Sequence, residues 1–263
     1  MSSLAFSERG SRSHFWAPVG TATPDGADTV LLDARKSWIT SAGEADSYVW
    51  SSKPLEAEGV MSLWLVPSDS TGLDVRGPYD GFGLRGNASS PVSAKSVAVP
   101  RAALLGTALE VVLPCFLVLS AAFSLGVTEA LLNLTATHLR ETRLVHLDQT
   151  LAEQPIARNQ YAALRLRADA LRAMLEATLT AVENGSPEAT LRVLQIKALA
   201  AETAAEVADG TMRLCGGAAF RRETGVERRF RDALAARVMA PTTEALHDFC
   251  GRAELGLPLF GEA

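Results

Sequence analysis

Cysteine is scarce. The 263-residue chain has Cys115, Cys215 and Cys250, far apart and without C-x-x-C spacing. That excludes a disulfide framework and a cysteine-based zinc site, and it fits a reducing cytoplasm. The four histidines, His14, His138, His146 and His247, form no ligand motif. A basic excess is also missing. The formal net charge of −5 argues against a general nucleic-acid binder. The opening MSSLAFSERGSRSHFW has no long apolar core, so it does not read as a secretory leader. There is no internal repeat and no low-complexity tract.

One long apolar run is present. Val111 to Thr128 is 18 residues without a charge, at the threshold for a membrane span. It carries Pro114, Ser120, Ser124 and Gly126, is flanked by Glu110 and Glu129, and continues into a periodic helical pattern. It reads as a helix buried in a bundle rather than as a membrane segment.

Residues 1 to about 100 read as strands and turns. Val49 and the set Met61, Leu63, Leu65 alternate, and Gly and Pro punctuate at Pro24-Asp25-Gly26, Gly72, Gly77-Pro78, Gly81, Gly83, Gly86 and Pro91. Such spacing predicts a small β-barrel or sandwich. Val30-Leu31-Leu32 and Ser37-Trp38-Ile39 flank an expected hairpin turn at residues 33–36. Residues 102 to 255 read as helices. Tyr161, Leu164, Ala168, Leu171, Leu175, Leu179 and Val182 recur at steps of three and four. Gly185 stops that helix, and Ser186-Pro187-Glu188 starts another, expected to end at Gly210. Its alanines 198, 201, 204, 205 and 208 permit close helix contact and offer a face for subunit association. The order is α+β: a β domain over 1–100, then an antiparallel four-helix bundle over 101–263.

The segment from Thr211 to His247 is the richest in motifs. Gly216-Gly217 lets backbone approach a ligand closely. Glu227, Arg228, Arg231, Asp232 and Ala233 follow. Pro241 breaks a helix, and Thr242 and Glu244 sit at the next helix start. This order resembles the C-terminal end of the acyl-CoA dehydrogenase family, whose members carry Q-x-x-G-G-x-G-Y, E-R-x-x-R-D-A and Y-E-G-T. Arg213 stands at the glutamine and Phe220 at the tyrosine. Met239-Ala240-Pro241-Thr242 replaces Y-E-G-T.

Two earlier runs extend the resemblance. Ser7-Glu8 through Ser13-His14 is similar to T-E-P-x-x-G-S-D, and Lys36-Ser37-Trp38-Ile39-Thr40 to K-x-W-I-T-N. Residues 79–86 and 97–100 resemble further family markers. The resemblance covers the family's middle β domain and C-terminal bundle, and not its N-terminal helical domain. It implies FAD, with Ser7, Ser13, Trp38 and Thr40 near the flavin ring. A planar indole covers a ring face, and a hydroxyl serves its polar edge. It implies that Arg143, at the family's R-x-x-F-G arginine, meets the cofactor's pyrophosphate from a neighbouring subunit. Arg213, Gly216 and Gly217 would approach from the same side, and Thr242 and Glu244 would face the cofactor.

The family's catalytic base is the point of departure. Abstracting a proton next to a thioester carbonyl needs a carboxylate near that carbon. The glutamate position holds Ala240, and the alternative position on the first bundle helix holds Phe116. The resemblance therefore implies an FAD-dependent oxidoreductase on acyl-CoA or acyl-carrier-protein thioesters that lacks its usual base. Such a chain would work as a homo-oligomer or beside a complete homologue. It would otherwise serve as a structural or regulatory subunit, or carry another flavin chemistry such as oxygenation.

Overall fold

A computed structural model describes residues 1–12, 14–55, 60–106 and 109–258. The chain forms two compact units, Met1–Val112 and Leu113–Ala263. Strands precede helices, as the α+β order requires.

The first unit holds β1 (Ser2–Ala5), β2 (Thr21–Asp25), β3 (Thr29–Ile39), β4 (Ser47–Ser52), β5 (Ser62–Pro67), β6 (Leu73–Val75), β7 (Ser90–Pro100) and β8 (Leu104–Gly106). They make two four-stranded sheets, ordered β1-β4-β5-β8 and β2-β3-β7-β6. β1 pairs with β4 in parallel, and the other pairs are antiparallel. One apolar cluster joins both sheets: Tyr48, Trp50, Trp64 and Val66 from one, Val30, Leu32, Val92 and Val97 from the other. This is the sandwich alternative; the described strands form no closed barrel. β8 still pairs with β5, so the strand unit continues past Pro100.

The hairpin expected at residues 33–36 is not there. β3 runs straight through, and the turn lies instead between β2 and β3, where Gly26 adopts φ +78°. Two register shifts against β7 carry the charged stretch. At the first, Asp33 accepts a hydrogen bond from the Ser96 amide at 2.9 Å. The charges mark bulges in a long strand, which insert an extra residue and turn side chains without ending the pairing.

The second unit holds α1 (Leu109–Glu141) from Leu113 onward, α2 (Pro155–Glu183), α3 (Ala189–Cys215), α4 (Val226–Val238) and α5 (Thr243–Glu254). A two-stranded pair, β9 (Arg143–Leu144) with β10 (Gln149–Thr150), lies between α1 and α2. There are thus five described helices rather than four. Leu131, Leu132, Ala168, Ala204, Val207 and Ala233 form one cluster from α1 to α4, and α5 packs on α3. The extra helix exists because Pro241 cuts the last segment in two.

Three sequence expectations change here. α3 does not stop at Gly210. A Cβ there would meet Leu164 Cδ1 at 2.6 Å, so that glycine makes room for α2 instead of ending a helix. The α3 alanines expected at an association face are buried inside the unit, 0–4 % exposed. On α2 the buried stripe drifts by one residue: Thr178 and Ala181 go inside while Leu179 and Val182 stay exposed. α1 is long and apolar enough to cross a membrane. It buries Leu117, Ala121, Leu125 and Leu131 and exposes Leu119 and Phe123.

Candidate functional site

In the strand unit the site is built on a buried ion pair. Glu8 and Lys36 stand 28 residues apart and meet at 2.6 Å, with side chains 2 % and 0 % exposed. Glu8 Oε2 accepts from the amides of Val19 and Gly20 at 2.6 and 2.9 Å. Lys36 Nζ also donates to Ser51 O at 2.6 Å and Ser51 Oγ at 2.8 Å, and it lies 5.2 Å from the Trp50 ring centre. Burial lowers the Lys36 ammonium to about 8, against the pull of Glu8. Only hydrogen fits at Gly20, because a Cβ would meet Ala34 Cβ at 2.6 Å and Glu8 Oε1 at 2.9 Å.

This network aligns the two N-terminal motifs. The Ser37 amide donates to Ser7 O at 2.8 Å, directly beside the ion pair. Two residues after Lys36 comes the second bulge, and Trp38 sits on it with φ +55°. A tryptophan in left-handed backbone is a strained arrangement, and such strain concentrates at functional sites. The side chain is 62 % exposed, while Trp50 and Trp64 are fully buried. Its ring lies tilted against Tyr79, with centroids 4.2 Å apart. Trp38 is therefore not a core tryptophan but a presented flat surface. Thr40 is exposed, and its carbonyl accepts from Ser3 Oγ at 2.5 Å. Ser13 lies outside the described residues.

In the helical unit the expected residues fall at helix ends. Arg143 opens β9 and pairs with Asp148; its side chain is 56 % exposed. Arg213, in the last turn of α3, pairs with Asp209 and is 73 % exposed. Gly216 ends α3 at φ +52°, and a Cβ at Gly216 or Gly217 would meet nothing within 4 Å. Both glycines are exposed. The backbone here is open to a ligand, with one exposed guanidinium three residues before it. Thr242 caps α5, its hydroxyl accepting from the Ala245 amide at 3.4 Å, and exposed Glu244 follows in the first turn. Ala240 is partly buried between the ends of α4 and α5, and Phe116 is partly buried on α1. Neither base position carries an acid. The side chain of Glu110 is outside the described residues.

One residue was missed in the sequence. Lys197 of α3 is 2 % exposed and donates to three carbonyls, Ala236 O at 3.0 Å, Met239 O at 2.9 Å and Pro241 O at 2.6 Å. Burial lowers its ammonium to about 8, with the charge of Glu244 opposing. The signal was present: Lys197 falls four residues from both Val193 and Ala201, on the apolar stripe of its helix.

The expected cofactor residues fall into two sets. Ser7, Trp38 and Thr40 belong to the strand unit; Arg143, Arg213, Gly216, Gly217, Thr242 and Glu244 belong to the helical unit. Each set fits part of FAD. A presented indole suits the flat ring system. Exposed guanidinium groups and open glycine backbone suit the phosphates.

Comparison with known proteins gives the same partition. The family model “Acyl-CoA dehydrogenase, middle domain” matches residues 3–97, and “Acyl-CoA dehydrogenase, C-terminal domain” matches 118–255. The chain is 28 % identical over 259 residues to the mitochondrial short-chain specific acyl-CoA dehydrogenase of Bos taurus, covering 92 % of this chain and 60 % of that one. It thus spans about three-fifths of such a relative's length. Butyryl-CoA dehydrogenase of Megasphaera elsdenii superposes with a TM-score of 0.90 at 20 % identity, covering 97 % of this chain and 68 % of that one. A structure of PigA with FAD and proline superposes at 0.89 and 20 % identity, covering 97 % and 68 %. The last two likenesses speak to fold.

Proposed function

This chain belongs to the acyl-CoA dehydrogenase family, and we propose that it is an FAD-dependent oxidoreductase acting on acyl-CoA or acyl-carrier-protein thioesters within an oligomer. The presented indole of Trp38 carries this reading. Its strained placement keeps it out of the core, packed along Tyr79 with most of the ring exposed, which matches a ring-binding purpose. Oxidising a CH–CH bond next to a thioester removes a proton and a hydride. When bound, FAD supplies the hydride acceptor. Trp38 would then orient the ring and Thr40 serve its polar edge, while Arg143 and Arg213 of a neighbouring subunit would exchange their carboxylate partners for phosphate oxygens. The open backbone at Gly216 and Gly217 admits the cofactor.

Proton removal is the step this chain's own residues do not serve at positions 116 and 240. We assign the missing acid to another chain of the assembly, a complete homologue. The three unpaired cysteines support a cytoplasmic setting. The same replacement favours a second reading. The chain would then be a catalytically impaired subunit of a heteromeric dehydrogenase, or would host flavin-dependent oxygenation that needs no such base. An ultraviolet-visible spectrum of the purified protein tests the first step. Stoichiometric oxidised flavin is expected. Colourless protein that takes up no added FAD would overturn both flavin readings and leave the impaired subunit.

A further inference from the structure

We propose that Lys197 is a positioning residue that pins the turn carrying position 240. This rests on the proposed reading only in assigning position 240 a chemical purpose. The clamp itself follows from the geometry.

The last carbonyls of a helix have no partner within it. Ala236 O belongs to that group in α4, because its successor four residues on is Ala240, beyond the helix end. Pro241 has no amide hydrogen to give. Lys197 reaches across from α3 and supplies what the chain cannot. An ammonium has three hydrogens and no acceptor. All three are used: one on Ala236 O, one on Met239 O and one on Pro241 O. The last two carbonyls flank Ala240. A single nitrogen thus holds both sides of one residue, and it stands at the negative end of α4, where a cation is favoured.

The arrangement has two consequences. First, the ammonium is fully committed as a donor, so it does not act as the missing base. Second, the turn is held in one shape although position 240 carries only a methyl group. The device that would hold a catalytic side chain is in place, and the side chain is not. A plain capping role would hold Ala236 O and leave the turn free. The bonds to Met239 O and Pro241 O make the difference.

Amide hydrogen exchange on the full-length protein tests this, comparing wild type with Lys197→Met, which keeps the volume and removes the donors. Peptides covering residues 236–246 are expected to exchange at least about tenfold faster, since donor bonds from a charged group are among the stronger ones. Peptides from α2 should be unchanged. Unchanged protection at 236–246, or a loss spread evenly over the bundle, would overturn the proposal. If Lys197→Met does not fold, Lys197→Gln, which keeps two donor hydrogens, takes its place: faster exchange confined to 236–246 supports the clamp, and unchanged or evenly lost protection overturns it. A second arm reads position. With Ala240→Glu as background, Lys197→Gln should slow flavin reduction by an acyl-CoA at saturation while changing thioester affinity less than about twofold. Equal rates would overturn the positioning role. An Ala240→Glu chain that is never reduced by any acyl-CoA would count against the proposed function instead, and exchange would still decide the clamp.

Discussion

Lys36 Nζ and Glu8 Oε1 stand 2.6 Å apart with both side chains out of water. The pair ties the Ser7-Glu8 run to the Lys36-Ser37-Trp38 run, so it sets where the Trp38 bulge begins. Removing one partner leaves an uncompensated buried charge, which costs about 3–5 kcal/mol, while removing both costs much less. Glu8→Gln and Lys36→Met are each expected to destabilise the strand unit by that order. The double variant should be clearly more stable than the sum implies. All four tryptophans lie in this unit, so urea unfolding followed by tryptophan fluorescence reads the cycle. Additive single effects would show that the two charges do not depend on each other.

The family motifs were legible because they are runs of adjacent residues. What joins them was not. Lys36 reads as a turn lysine because three of its neighbours, Asp33, Ala34 and Arg35, are poor strand formers. Its partner Glu8 lies 28 positions away, and sequence spacing says nothing about that distance. Gly210 reads as a helix stop because glycine often is one, yet its reason is the Leu164 side chain pressing from α2. Lys197 went unseen for the converse reason. A lysine inside an alanine run reads as solvated, and only its place on the buried stripe betrays it. The α+β order was legible throughout, since periods of two and of three to four are local properties.

Trp38→Gly separates function from folding. Glycine relieves the positive φ, worth on the order of 1–3 kcal/mol, and gives up the Tyr79 contact, worth roughly 0.5–1.5. The melting temperature is therefore expected to move little. FAD affinity should fall by up to about tenfold, the same aromatic contact energy expressed as binding. Flavin fluorescence titration measures it. Undiminished affinity would remove Trp38 from the cofactor site.

Gly210→Ala should destabilise the helical unit by about 1–3 kcal/mol through overpacking. The clash is with the end of one side chain, Leu164. Shortening it, Leu164→Ala in the same chain, should recover part of the loss. Thermal melts of the two single variants and the double decide this. No recovery in the double would mean that the glycine serves the backbone rather than the contact.

Glu129 joins α1 to α2. Arg165 holds it with two bonds of 2.6 and 2.7 Å, and Arg172 adds one of 2.8 Å. The Arg165 hydrogen bonds chiefly, with Arg172 helping, lower its carboxyl from 4.5 to about 2. A depressed carboxylate contributes stability that is present above its unfolded value and lost as pH falls towards the folded one. The advantage of wild type over Glu129→Gln should thus be full above about pH 4.5 and vanish towards pH 2. Circular dichroism melts across that range check it. An advantage independent of pH would mean that packing, not charge, joins the two helices.

The last expectation concerns Ala240. With an alanine there, the purified chain should reduce its flavin very slowly when given a saturated acyl-CoA, since losing a general base typically costs roughly 10² to 10⁴ in rate. Ala240→Glu restores the acid on a turn that Lys197 already holds at Met239 O and Pro241 O. The placement is still not the family's, because Pro241 stands where the motif has glycine and restricts φ to near −65°. A misplacement of about 1 Å can cost 100-fold. Ala240→Glu alone is therefore expected to give measurable but modest reduction, and Ala240→Glu with Pro241→Gly more, provided both keep their FAD. Stopped-flow bleaching of the flavin absorbance follows each rate. If the unaltered chain bleaches rapidly by itself, an acid from elsewhere already reaches the thioester, and position 240 is not where this protein takes its proton.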